Sequence, residues 1–148
     1  MTNLLSLLTA FLASLCWGIL FSVPRRRLFF AGLVGSIGWA AWLIGESYGL
    51  ATVGRTLVGA VCVGIAGEVF ARLLREPATV FLISGIVPLV PGVGSYNSMQ
   101  AFVVGDYLLG ISLAAEALLA AGAIAIGLAL ATSLARGAFS LARRSNSR

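Results

Sequence analysis

The residues whose types and spacing could do chemistry sit together in the middle of an apolar stretch. Pro88, Pro91, Gly92 and Gly94 are followed at once by Ser95, Tyr96, Asn97 and Gln100. Proline lacks an amide hydrogen, so Pro88 and Pro91 cannot donate to the carbonyls of Ser84 and Val87, and a helix arriving there ends with free acceptors. A second helix starting beyond the glycines, capped by Gly94 or Ser95, would present free amides to the same gap. In hydrocarbon each unsatisfied backbone group costs several kcal/mol, so such a break survives only where protein buries it or water reaches it. Carbonyls facing amides near the bilayer midplane suit a zwitterion or a carboxylate, and broken helices of this kind build substrate sites in many transporters.

Two acids extend the chemistry. Glu116 lies within an apolar run, on the helical face that carries Ala120, Ala123 and Gly127, and so is expected to face protein. It is the candidate proton carrier. Glu68, the second candidate, stands four residues before Arg72, an order that favours a local ion pair. An ionisable residue inside a membrane segment points by default to an ion or substrate path. Asp106, beside Gly105, reads as a loop residue or helix boundary. Nothing suggests an enzyme: no Ser/His pair or closely spaced pair of acids forms a reaction centre. The chain has no His, and Cys16 and Cys62 lie singly in apolar runs, so neither a metal site nor another cofactor is expected.

The elements that must position these residues are membrane helices. Hydrophobic residues make up 59% of the 148 and charged residues only 10%, against about 25% charged in a soluble domain. Mean hydropathy is +1.02. The length allows one membrane domain, 1–148. Runs long enough to cross a bilayer fall at roughly 3–22, 28–45, 51–71, 78–104 and 111–134, followed by a basic tail at 135–148. The fourth run exceeds what a straight crossing needs, and the surplus is explained if residues 88–94 are unwound. The expected fold is an all-α bundle of five spans, the fourth discontinuous at its P-x-x-P-G break.

Charge sets the expected orientation. Five spans place nine of the ten Arg on one face and only Arg55 near the other. Arg-rich loops stay cytoplasmic, so the N-terminus is expected outside and the C-terminus inside. The net charge of +5 is explained by this topology rather than by nucleic acid. The first run is expected to be retained. Basic residues follow it rather than precede it, the reverse of a secretory signal, and Leu15 before Cys16 is too large for a lipoprotein cleavage site.

Small residues recur at helical spacing: Ala60, Gly64, Gly67 and Ala71 on the third span; Gly32, Ser36 and Ala40 on the second; Ala120, Ala123, Gly127 and Ala131 on the fifth. Such stripes let membrane helices approach closely. They predict a tight bundle and leave open a second copy or a partner chain.

The run Pro88-Leu89-Val90-Pro91-Gly92 followed by Tyr96 resembles the threonine/serine exporter family, as do the Val23-Pro24-Arg25 turn and the run Leu33 to Gly38. The chain is most similar to the family's small-subunit form, the C-terminal half of the longer single-chain exporters. The resemblance implies export of a small polar metabolite, threonine- or serine-like amino acids or dicarboxylates, linked to the proton motive force across a bacterial inner membrane. It also implies a larger membrane subunit as partner. The alternative is a structural subunit that transports nothing and stabilises such a partner. On the first reading Pro88, Pro91, Gly92 and Gly94 shape the path, and Ser95, Tyr96, Asn97 and Gln100 line it.

Overall fold

A computed structural model describes the backbone of residues 2–145 and the side chains from 3 to 135. Helices α1 (Thr2–Leu20), α2 (Arg25–Ser47), α3 (Thr52–Leu74), α4 (Ala78–Gly85), α5 (Gly92–Val104) and α6 (Tyr107–Ser145) follow one another, with a 3-10 turn at Val87–Leu89 between α4 and α5. No strand occurs among the described residues. Helices α1, α2, α3 and α6 are each long and apolar enough to cross a membrane, and α4 and α5 together make a further candidate span bent by 48°. The protein is an all-α membrane bundle.

The helices overrun the apolar runs at several ends because a helix can continue into the polar interface. Thus α2 already includes Arg25, Arg26 and Arg27. The stretch expected as a basic tail begins as helix, since α6 runs on to Ser145. The side chains of Arg136, Arg143 and Arg144, and all of Arg148, lie outside the described residues.

Chain punctuation has local causes. Arg75 takes the left-handed conformation (φ 55°) that ends α3, and the Glu76 amide donates back to the Ala71 carbonyl at 2.9 Å. Gly105 (φ 90°) ends α5 in the same way. Asp106 then caps α6: its Oδ1 accepts from the Leu109 amide at 3.1 Å. The helix boundary expected there is this cap.

Small residues form the seams. On α3, Ala60, Gly64, Gly67 and Ala71 are all buried, and Ala120, Ala123, Gly127 and Ala131 of α6 are buried with them. At Gly127 a Cβ would come within 2.8 Å of Ala60 Cβ and 3.0 Å of the Leu57 carbonyl. That seam closes only with glycine. On α2 the close face is turned from the expected one. Gly32 is buried and tight against Phe11, but Ser36 and Ala40 are only half-buried, and the other tight contacts fall at Gly35, against Ser14, and at Gly38, against Val63. Every face of α2 is apolar, so spacing alone did not single out the one that packs.

Ion pairs mark the two ends. Arg27 at the start of α2 meets Glu76 of the α3–α4 loop at 3.3 Å and donates to the Leu74 carbonyl. At the opposite, Arg-poor end, Arg55 pairs with Glu46 at 3.0 Å.

Candidate functional site

The break is anchored on one side and free on the other. Phe81, Ser84 and Gly85 of α4 are buried among α1, α2 and α3. A Cβ on Gly59 would meet Leu89 at 2.9 Å, and Leu89 also lies against Gly38, so two glycines admit this side chain. One residue later the chain leaves the bundle. Val90 is 53% exposed, against 5% for Leu89. Beyond it α5 packs chiefly on α6 and buries only Ser98 and Ala101. The Ser98 hydroxyl donates to the Gly110 carbonyl at 2.8 Å and so holds α5 to α6 rather than lining a path.

The unwound part is shorter than the expected 88–94. Residues 87–89 form a 3-10 turn, in which the Leu89 amide reaches Ile86 O and the Val90 amide reaches Val87 O. Pro91 makes an inverse γ-turn (φ −77°, ψ 56°), with the Gly92 amide donating to Val90 O at 2.8 Å. Helix resumes at Gly92, so Pro91 occupies the cap position in place of Gly94 or Ser95. Proline's fixed φ suits it to helix starts, and Gly92 has open space around it. The amides of Val93 and Gly94 have no protein partner among the described residues, nor do the carbonyls of Ser84 and Gly85.

A cavity of about 380 Å³ opens where the two half-helices part. Its floor is the backbone from Pro88 to Gly94. One wall is Asn97 of α5 with Leu113, Glu116 and Ala117 of α6. The other is Trp39 and Trp42 of α2 with Thr52 and Thr56 of α3. The size suits a small metabolite. Because Thr52 opens α3 and Glu46 ends α2 close by, the cavity lies in the Arg-poor half of the bundle.

The structure brings some of the expected site residues together. Pro88, Pro91, Gly92, Gly94, Asn97 and Glu116 all line the cavity. Glu116 is exposed rather than packed against protein, although Ala117 beside it and Ala120 one turn on are buried. The other expected residues stand apart. Ser95 turns its hydroxyl back to the Pro91 carbonyl at 2.9 Å. Tyr96 is 67% exposed and lies outside the lining. Gln100 lines a separate depression between α5 and α6, which Asn97 and Asp106 share. Glu68 is buried on α3 and bonded to Arg72 at 2.9 Å, the local pair its spacing suggested.

The aromatic and hydroxyl wall went unread in the sequence. Trp39 and Trp42, three apart, stack with centroids 4.9 Å apart and planes within 4°. Thr56 donates to the Thr52 carbonyl at 2.8 Å. The available signal was a Trp-x-x-Trp pair near one end of a span and a Thr-x-x-x-Thr pair facing it across a short loop.

Residues 6–134 match the family described as Threonine/Serine exporter, ThrE. A threonine/serine exporter of Corynebacterium glutamicum is 33% identical over 106 residues, covering 72% of this chain and 22% of that protein's length. The chain thus spans under a quarter of that relative. No solved structure matches. With nearly all of its spans inside the family match, this chain belongs to the threonine/serine exporter family.

Proposed function

We propose that this chain carries a solute site of a proton-linked exporter, working in the bacterial inner membrane beside a larger subunit. The observation that carries the reading is the cavity at the break, where unpartnered amides of Val93 and Gly94 share a space with Glu116, the one ionisable side chain among its lining residues. That balance suits an amino acid: amides for the carboxylate and Glu116 for the ammonium. A dicarboxylate would bring two negative charges towards Glu116 with no basic side chain on the walls, so dicarboxylates are the weaker fit. Glu116 can then serve twice. Ionised, it holds the ammonium; on taking a proton from outside it releases the solute, which couples export to the proton gradient. Glu68, engaged with Arg72 away from the cavity, is the second candidate.

The orientation required is N-terminus outside and C-terminus inside, which puts the cavity in the outer half. On a background lacking Cys16 and Cys62, an impermeant thiol reagent applied from outside should label a cysteine at Ser47 and spare one at Ser145. The opposite pattern would overturn the orientation.

The coupling test is export of L-threonine from vesicles containing this chain and a larger subunit, under an imposed pH gradient. Glu116→Gln is expected to abolish gradient-driven export while the protein still inserts. Wild-type gradient dependence in that variant would show that the proton travels elsewhere. One observation favours the second reading, a stabilising subunit: Tyr96 and Gln100 are exposed and lie outside the cavity lining, on a face of α5 that a partner or a second copy could cover. On that reading Glu116→Gln would leave export unchanged.

A further inference from the structure

Among the described residues Arg55 is the one arginine side chain at the Arg-poor end, and an Arg-rich cytoplasmic face does not account for it. Its surroundings do. The guanidinium carbon lies 5.2 Å from the centre of the Trp42 ring. Nη1 meets Glu46 Oε1 at 3.0 Å, and Nε donates to the Leu50 carbonyl at 2.6 Å. Trp42 in turn stacks on Trp39, and both rings line the cavity. The chain of contacts therefore runs from a loop carbonyl and a carboxylate, through a fixed guanidinium, to two parallel indoles and the solute space. A cation over an indole face is held by the ring's quadrupole, and a planar guanidinium pinned at two points keeps that geometry better than a mobile ammonium.

We propose that Arg55 is a positioning residue of the transport site, setting the Trp42–Trp39 pair as the fixed wall against which the solute is held. The inference rests on the cavity being the solute site. Glu46 and the Leu50 carbonyl hold Arg55; Arg55 holds Trp42; Trp42 and Trp39 meet the solute. The opposite wall, Asn97 and Glu116, is carried by α5 and α6 and is not fixed by this stack.

The test uses Arg55→Ala, Arg55→Lys and Trp42→Phe, with Asn97→Phe filling the cavity from the opposite wall. Two quantities are read: the near-ultraviolet circular dichroism of the stacked indoles, and KM and maximal rate for L-threonine export in vesicles with the larger subunit. Arg55→Ala should lose the indole signal and raise KM about fivefold, with maximal rate within about twofold. Arg55→Lys should restore part of both, and Trp42→Phe should raise KM with Arg55 intact. An unchanged indole signal in Arg55→Ala, or a lost signal with unchanged KM, overturns the positioning role provided Asn97→Phe raises KM. If Asn97→Phe also leaves KM unchanged, the cavity is not the solute site and both readings fall. If Arg55→Ala fails to insert, Arg55→Lys and Trp42→Phe carry the decision: KM at the wild-type value in both overturns the proposal.

Discussion

Helices α4 and α5 are two halves of one apolar segment, yet they are held in opposite ways. Phe81 in α4 is fully buried, and a Cβ on Gly85 would come within 2.5 Å of Val34. In α5, Val93, Met99, Val103 and Val104 are each more than 70% exposed, and a Cβ on Gly92 would meet nothing within 4 Å. The change falls between Leu89 and Val90, at the prolines. The first half is part of the bundle's core, whereas the second is an arm carried by α6. A cavity forms at that boundary because one half-helix follows α2 and α3 and the other bends away.

The sharpest way to break this comparison uses the same residue type on each half. Phe81→Ala should cost about 3–5 kcal/mol and sharply reduce the amount of folded protein. Phe102→Ala, at a site 39% exposed, should cost less than about 1 kcal/mol. Equal losses in a thermal unfolding assay would show that α5 is packed as firmly as α4. Next, replacing both Pro88 and Pro91 by Ala restores two amides and lets the helix run through, which should lower export more than tenfold, on the order of 1.4 kcal/mol or more in the barrier. Unchanged export in that double variant would separate the bend from transport.

The smallest effect sharpens the account of the arm. Ser98→Ala removes the buried hydroxyl bond to Gly110, at about 1 kcal/mol. Amide exchange should then quicken along residues 95–104 and stay unchanged along 79–85. Faster exchange in both segments would mean that the two halves unfold as one.

What the sequence made legible follows the same division. Pro88 and Pro91 announced the break because proline's missing amide acts wherever it stands. The stripes on α3 and α6 were readable because small residues recur there every three or four positions. Glu68 and Arg72 were readable because one turn of helix brings them together. The point where helix resumes was misplaced, since a glycine after proline serves equally well as a loop or as a first turn. The wall of Trp39, Trp42, Thr52 and Thr56 was missed for a different reason. In a membrane bundle, apolar residues face lipid, core and cavity alike, so periodicity no longer tells inside from outside. Glu116 marked the cavity without revealing what stood across from it.

The most direct test of the central claim is solute protection at the break. On a background lacking Cys16 and Cys62, single cysteines at Asn97, in the cavity, and at Ser47, at the end of α2 outside it, are exposed to an impermeant thiol reagent with and without L-threonine. Slower labelling at position 97, graded with threonine concentration, and an unchanged rate at position 47 are the predicted result. A labelling rate at position 97 indifferent to threonine would contradict the assignment of the solute site to the break.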